Sequence, residues 1–386
     1  MTKAQVSEEL KKQKNNITFI FVSGRKEPYE KNLIEAREHY YTLPLYDEHE
    51  NNINVIEFQE NSSIANNLLY LVDRIFNKLL SLPFYMHKLT NKKNYRILKK
   101  SDHIFLVTES TGFSALPMLK VLKLFSSSKA KVHMFVMGLY SKKLKYNKLR
   151  FLHNLIINLL VYFLDNLFFL GKGELENAKK ITKKHKKLHF VPFSIDEDFW
   201  VSNNKMKIKD KEKIIFVGND GNRDVDLLIQ IAKELSNFEF IFVSSLETIK
   251  KVNLDNVSVL GDGWAREGLK DVELKKLYLD SKITILPLRE SFQPSGQSVA
   301  LQSMSLGVPV LISETEGFWD KELFKDNKDI FFVKDNSLDG WVNRIKEVYE
   351  DEDLLEKVSN NSRNIVKNSL NLNEFQKTVK NIIKLS

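Results

Sequence analysis

The feature that most constrains this chain is a regular alternation of short apolar runs with longer stretches of helical periodicity. Runs such as Ile17–Ser23, His103–Thr108 and Lys131–Met137 are rich in β-branched and aromatic residues, as buried strands are. Helix-patterned segments separate them. This alternation is typical of a parallel sheet covered by helices, so we predict an α/β fold.

The alternation occurs twice, on either side of a polar, lysine-rich break at Trp200–Lys213 that we interpret as an interdomain linker. We therefore predict two Rossmann-like domains, residues 1–200 and 201–370, and a helix in residues 371–386 that packs back on the first domain. The predicted strands are Ile17–Ser23, Asn54–Phe58, His103–Thr108, Lys131–Met137, Leu167–Leu170 and His189–Phe193, then Ile214–Gly218, Phe238–Val243, Val257–Gly261, Ile283–Leu286, Val310–Ser313 and Ile330–Val333.

Two predicted helices of the first half are rich in apolar residues. One is predicted from a single face of apolar residues at helical spacing, and the other, Tyr146–Leu164, is apolar over most of its circumference. A basic run, residues 141–150, leads into the second helix. The face of the first helix consists of Ile64, Leu68, Leu71, Val72, Ile75 and Leu79.

Length and composition restrict the class of protein. A chain of 386 residues suits two domains, and the absence of cysteine excludes disulfides and thiolate metal sites. The first residues are polar, unlike a secretory signal, and no apolar stretch reaches the roughly 20 residues of a spanning helix. We expect a soluble, cytoplasmic protein that is at most peripheral to a membrane.

The net charge of +9 is distributed unevenly. Residues 1–200 hold 32 Lys and Arg against 20 Asp and Glu, whereas residues 201–386 hold 27 against 30. An anionic partner of the first half, such as a lipid surface or a nucleic acid, would explain this asymmetry. A lysine-rich genome would explain it equally well.

The segment Leu286–Ser313 is the most specific stretch of the sequence. It reads as strand, loop, helix, turn and strand, and Ser295 and Gly296 stand where the helix must begin. A helix start offers free backbone N–H groups and the positive end of the helix dipole, which together attract phosphate. Gln297 and Ser298 add side-chain partners. An ordinary crossover helix with a serine cap is the plain alternative.

This segment resembles the donor-binding region of GT-B glycosyltransferases, particularly family 4 (glycosyl transferases group 1). The residues Leu301-Gln302-Ser303-Met304-Ser305-Leu306-Gly307-Val308-Pro309-Val310 are similar to that family's helix-ending pattern. Residues Phe190–Trp200 and Lys213–Ile229 resemble the family's exit from the first domain and entry to the second. The resemblance covers about residues 165–350.

The resemblance implies two Rossmann-like domains facing across a cleft, with a nucleoside-diphosphate sugar bound by the second. It implies sugar transfer to a glycan or lipid-linked acceptor, in surface polysaccharide or glycolipid synthesis. The family usually has a glutamate that binds the donor ribose where this chain has Gln302, and an earlier glutamate whose role Glu290 fills from a longer loop. An amide can still donate to and accept from ribose hydroxyls.

Further donor-binding candidates lie in two loops. Gly218, Asn219 and Arg223 belong to a glycine-containing loop after a strand, and the Arg223 fork could clamp a diphosphate or simply pair with Asp226. Trp264 follows the third strand of the second domain, where the family receives the base. It could stack on a base or pack on its own domain.

In the first domain, Glu109 follows a predicted strand and is the candidate for orienting or deprotonating an acceptor hydroxyl. It could also belong to a helix-capping box. Gly24-Arg25-Lys26 is a second cleft candidate. No metal-ligand spacing occurs, so we expect no metal ion and no cofactor beside the nucleotide sugar.

Three other functions stay open: a catalytically inactive nucleotide-sugar-binding or scaffolding subunit, a sugar phosphorylase, or an epimerase on the same fold. The sequence lacks helix-turn-helix and interleaved aromatic-basic patterns, so nucleic-acid binding is the least favoured.

Overall fold

The computed structural model describes residues 14–46, 49–60, 64–141, 144, 146–202, 208–260 and 269–385. Within them, twelve strands form two parallel sheets, in the orders β2-β1-β3-β4-β5-β6 and β12-β11-β10-β7-β8-β9. The strands are β1 Asn15–Phe21, β2 Asn51–Glu57, β3 His103–Leu106, β4 Lys131–Val136, β5 Asn166–Phe169, β6 Leu188–Phe190, β7 Lys213–Val217, β8 Phe240–Val243, β9 Val257–Leu260, β10 Ser281–Leu286, β11 Val310–Ser313 and β12 Phe331–Val333. The two-sheet α/β prediction is confirmed.

Helices connect the parallel strands, as their shared direction requires. Thr108 caps α5, the helix between β3 and β4, by accepting a hydrogen bond from the Thr111 amide. The helices are α1 Lys26–Glu30, α2 Ile64–Leu80, α3 Met86–Leu89, α4 Lys92–Lys100, α5 Glu109–Phe125, α6 Arg150–Phe163, α7 Lys172–Ile181, α8 Val225–Glu234, α9 Glu247–Lys250, α10 Asp271–Leu279, α11 Gln297–Ser305, α12 Leu338–Glu350, α13 Glu352–Ser369 and α14 Leu372–Leu385.

The core follows from the strand pattern, because successive side chains of a strand point to opposite faces of the sheet. On β1, Phe19 joins one buried cluster and Ile20 joins another on the opposite face. The Phe19 cluster continues into the second domain, where it includes Ile215 and Val217 of β7. The two domains therefore share an apolar contact.

Each sheet has a point at which the chain leaves adjacent strands in opposite directions. In the second sheet this point lies between β7 and β10, and in the first between β1 and β3. Open α/β sheets bind ligands at such points, beyond the carboxyl ends of the strands. The loops that begin at Gly218 and Pro287 therefore meet at the preferred ligand position of the second domain.

The chain crosses between the domains twice, and the crossings lie side by side. The Ile195 amide donates to the Leu370 carbonyl at 3.0 Å, and Ile195 bridges to Asn371. After the second crossing, α14 packs on the first domain, where Phe375 stacks on Phe135 with ring centroids 5.8 Å apart. Trp200, predicted to open an exposed linker, is fully buried at the first crossing.

The apolar face predicted on α2 lies mostly toward solvent, apart from Val72, which packs on the core. Leu68, Leu71 and Ile75 are each more than half exposed. The neighbouring row, which includes Val72 and Phe76, packs on the core instead. No helix in the described ranges is long and apolar enough to span a membrane.

Candidate functional site

A cavity of about 310 Å³ lies at the switch point of the second sheet. Its walls come from the loop after β7 and from the first turn of α11, which follows β10. Because β7 and β10 pair directly, the two segments start from one edge of the sheet. The polar part of the lining consists of Gly218, Asn219, Asp220, Arg223 and Ser298.

Arg223 lies between the two glycines of these segments. A Cβ built on Gly218 would stand 2.2 Å from its Nε, and a Cβ built on Gly296 would stand 3.3 Å from its Nη1. Any side chain at Gly218 would therefore displace the guanidinium. The Arg223 backbone is fixed by a bridge to Leu288, which follows β10.

The Arg223 side chain is 4 % exposed and forms an ion pair with Asp220 at 3.4 Å. Its Nε and Nη1 atoms are buried and make no hydrogen bond to the described residues. Burial lowers the pKa of Arg223, because the charged form loses hydration, and Asp220 offsets part of this effect. An anionic group in the cavity would give the guanidinium charge-assisted hydrogen bonds.

The start of α11 is the second anion-attracting element. Gly296 caps this helix with a φ of +81°, a conformation that favours glycine, and as a glycine it offers no side chain to the first-turn amides. Ser295 is held beside Asn222, whose Nδ2 donates to its Oγ at 2.8 Å. The loop and the helix start are thereby fixed to one another, with the helix dipole directed at the cavity.

Other predicted donor residues have different partners. The Gln297 Nε2 donates to the Leu170 carbonyl of the first domain at 2.7 Å. The Asn219 Oδ1 accepts from the Ser245 amide at 2.6 Å, which fixes the start of its own loop. Trp264 lies outside the described residues.

Gln302, the candidate for the ribose contact, is fully buried. Its Nε2 donates to Glu38 Oε1 at 2.8 Å, and its Oε1 accepts from the Tyr278 hydroxyl at 3.4 Å. Glu38 also accepts from the Trp200 indole at 2.7 Å. The side chain of Gln302 thus connects α11 to the first domain.

Glu38 is a residue that the sequence analysis missed. It lies in a short 3-10 helix, Glu38–Tyr40, and is fully buried. Burial raises the pKa of Glu38 to about 7, although the hydrogen bonds from Gln302 and Trp200 oppose this. Its local sequence is polar and carries no recognisable motif, so only the fold identifies it.

Glu109, the candidate base, is the first residue of α5, and the capping box of that helix is formed by Thr108 and Thr111 without Glu109. Its Oε1 accepts from the Met137 amide at 2.5 Å. Buried Glu174 accepts from the Tyr140 amide at 2.9 Å, and burial together with Glu109 raises its pKa to about 8. The two carboxyl groups hold both ends of the loop after β4.

This loop touches the second domain. Gly138 has a φ of +130°, and a Cβ there would stand 2.8 Å from Gln293 Oε1. Nearby, Glu290 accepts from the Glu316 amide at 2.9 Å and lines a separate cavity of about 390 Å³ together with Ser141. Glu290 and Arg223 therefore line different cavities, on either side of the Gly218–Arg223 loop.

A larger cavity, about 780 Å³, lies beyond the carboxyl end of β1. Gly24 and Arg25 line it, and Leu269 lines both this cavity and the one beside Arg223. The Arg25 guanidinium lies 5.5 Å from the centre of the Tyr40 ring. Among the described residues, no group of three or more His, Asp or Glu side chains is arranged to hold a metal ion.

Comparison with known proteins identifies the family of the second domain. Residues 197–365 match the model of glycosyl transferases group 1. No curated protein matches the chain.

Solved structures match it over nearly its whole length. HepE from Anabaena, solved with UDP-glucose, is 13 % identical, with 96 % of this chain and 100 % of that chain covered and a TM-score of 0.66. Sucrose-phosphate synthase from Thermosynechococcus elongatus is 13 % identical, with coverage of 96 % and 99 % and a TM-score of 0.69. A glycosyltransferase from Rickettsia africae ESF-5 is 14 % identical, with coverage of 97 % and 100 % and a TM-score of 0.60. Residues 197–365 therefore form a domain of the glycosyl transferases group 1 family, and the whole chain is a glycosyltransferase with the GT-B fold.

Proposed function

We propose that this enzyme transfers a sugar from a nucleoside-diphosphate sugar to a glycan or lipid-linked acceptor, in surface polysaccharide or glycolipid synthesis. The observation that carries the proposal is the buried Arg223 guanidinium, held between Gly218 and Gly296 at the switch-point cavity. The donor diphosphate would lie against Arg223 and the first-turn amides of α11. The UDP-glucose bound in HepE supports a donor of this class.

The chemistry needs a stabilised leaving group. The bond between the sugar's anomeric carbon and the diphosphate oxygen breaks, and the acceptor oxygen forms the new bond to that carbon. Negative charge grows on the departing diphosphate, which the guanidinium and the helix dipole are already oriented to stabilise. The acceptor hydroxyl loses its proton to the departing diphosphate or to a carboxylate of the first domain.

The first domain closes the site from the other side. The Gln297–Leu170 hydrogen bond joins the start of α11 to the first domain, and Lys172 forms an ion pair with Asp320 at 2.8 Å. Such closure excludes water, which would otherwise compete with the acceptor for the activated sugar. We assign the acceptor to the cavities lined by Arg25 and by Ser141. Glu109 is assigned a positioning role through the Met137 amide.

The first prediction concerns Arg223. The Arg223→Ala variant should bind a nucleoside diphosphate about tenfold or more weakly, since a charge-assisted hydrogen bond contributes about 1.5–3 kcal/mol. Its melting temperature should change little, because the ion pair with Asp220 is the main interaction lost. Thermal-shift screening against UDP, GDP and ADP sugars first identifies the preferred base. Calorimetric titration with UDP, GDP and ADP then measures the affinity.

Lys233→Ala is the matched control, since it removes an exposed cation from the last turn of α8. It should leave affinity unchanged. Unaltered binding by Arg223→Ala would remove Arg223 from the donor site. Tight nucleotide binding without hydrolysis or transfer would favour the inactive-subunit alternative.

A further inference from the structure

We propose that the first domain docks on an anionic lipid bilayer through two neighbouring helices, α2 and α6. Each helix presents an outward row of apolar side chains in addition to its buried row. Together the outward rows form what we call the two-helix face. It consists of Leu68, Leu71, Ile75 and Leu79 on α2, and of Phe151, Leu155, Leu159 and Tyr162 on α6.

The α2 row cannot be explained by the core. A surface helix of a globular domain needs one apolar stripe, and in α2 the row containing Val72 and Phe76 already packs on the core. The outward row repeats at the same helical spacing, yet Leu68 is 64 % exposed and Ile75 is 54 % exposed. A second ordered stripe in water indicates a surface that is covered in use.

Helix α6 is divided into three arcs. His153, Ile157 and Leu160 are among the residues of the buried arc. The exposed arc is apolar, and Phe151 at its start is 79 % exposed. Between these two arcs runs a polar row, formed by Arg150, Asn154 and Asn158. The outward arc is therefore distinct from both the core contact and the polar row.

The two rows belong to one surface. The His153 Nδ1 of α6 forms a hydrogen bond of 2.7 Å with the Leu80 carbonyl at the end of α2, and the two helices are in contact. This contact makes α2 and α6 neighbours, and we take their outward rows as parts of one surface. The combined face is large for a monomer, in which apolar side chains usually reach the surface singly.

The charges around the two-helix face indicate what kind of partner binds it. The exposed ionic groups of the two helices, Arg74, Lys78 and Arg150, are all cations. Lys184 joins them, with its Nζ 4.6 Å from the centre of the Tyr162 ring. Asp73, the acidic residue of α2, is buried and bonded to His87 Nδ1 at 2.6 Å.

Apolar side chains rimmed by cations fit the boundary between headgroups and acyl chains of an anionic bilayer. A second copy of this chain would place the same cations opposite each other, which is unfavourable. The surface therefore favours a lipid partner over self-association.

The position of the two-helix face also bears on how the acceptor reaches the enzyme, a step that rests on the proposed function. A cavity of about 580 Å³ runs along the polar row of α6 and is also lined by Tyr140. Tyr140 belongs to the loop that touches the second domain through Gly138. Docking would thus bring the bilayer surface close to the loop at the cleft, where a lipid-linked acceptor would enter.

The test uses the full chain and sedimentation with vesicles. Vesicles of equal parts phosphatidylglycerol and phosphatidylcholine should carry the protein down at low salt. Phosphatidylcholine vesicles alone should carry down much less. Two variants should each lose about tenfold or more of the binding: the apolar variant L71S/I75S/F151S/L155S, and the cation variant R74Q/K78Q/R150Q/K184Q. Phe151→Trp should show a blue shift of emission on vesicle addition that the parent lacks.

The matched control, K328Q/K346Q/K357Q/K367Q, removes the same charge from exposed positions of the second domain and should still sediment. Equal loss in this control would show that diffuse charge, and not the two-helix face, binds the vesicles. Normal binding by the apolar variant, no sedimentation of the parent, or loss of a dimer in the apolar variant would each overturn the proposal. UDP binding in solution should be unchanged in the face variants, which separates this test from that of the donor site.

Discussion

Glu38 illustrates how the fold changes the chemistry of a single carboxyl group. It is fully buried, accepts from Trp200 and Gln302, and has a pKa raised to about 7 from an ordinary value of 4.5. The neighbouring His39 gives no compensating charge, because burial lowers its pKa to about 3 and keeps it neutral. The protonated form of Glu38 therefore fits its site better than the charged form.

This gives a pH prediction. Because the pKa is raised in the folded state, the stabilising contribution of Glu38 is present below pH 4.5 and is lost as the pH rises to 7. Glu38→Gln mimics the protonated form. Its melting temperature relative to the parent should therefore rise across this interval, by the equivalent of at most about 3 kcal/mol.

Differential scanning fluorimetry of parent and variant in matched buffers from pH 4.5 to 8 measures this difference. Glu35→Gln is a suitable control in the same segment. A constant difference between Glu38→Gln and the parent at every pH would mean that Glu38 does not titrate in this range.

The loop between β7 and α8 is the element to which we assign donor binding. Its two glycines differ in the space around them. A Cβ at Gly218 would collide with Arg223, whereas a Cβ at Gly221 would meet nothing within 4 Å. In the sequence the two glycines of the loop look alike. In the structure, only Gly218 must be a glycine to leave room for the Arg223 side chain.

We therefore predict that Gly218→Ala weakens nucleoside-diphosphate binding about as much as Arg223→Ala, because it displaces the same guanidinium. Gly221→Ala should bind like the parent. Isothermal titration of both variants with the preferred nucleotide tests this. Equal affinities for the two glycine variants would show that Arg223 can move aside without cost.

At the scale of elements, the sequence predicted the twelve strands, with ends that differ from the structure by at most three residues. Buried parallel strands are predicted well because most of the residues in them are apolar. The outward direction of the row on α2 could not be predicted, since periodicity shows that a face exists but not what it faces. Arg223 was identified from its loop, whereas Glu38 and Glu174 carry no local signal, because their surroundings are made by distant segments.

At the scale of the whole molecule, polar contacts join the two domains. Gln302, the candidate for the ribose contact, donates to Glu38 of the first domain. An amide and a carboxyl group make this pair without placing two negative charges together. The pair therefore belongs to the interface between the domains.

Exchanging the pair tests this assignment. Gln302→Glu should lower the melting temperature, and more so above pH 7, because two carboxylates would then be buried side by side. Combining it with Glu38→Gln restores one amide and one carboxyl group and should recover most of the loss. If Gln302→Glu instead strengthens nucleotide binding at unchanged stability, the side chain serves the ribose.

The paired crossings at Ile195 and Leu370 have a mechanical consequence. A single tether would let one domain swivel and twist freely against the other. Two crossings that are hydrogen-bonded to each other restrict twisting and leave hinge rotation of the domains about one axis. We therefore expect the domains to close along the same path by which they open to admit a donor, so that Gly138 returns to its position beside Gln293.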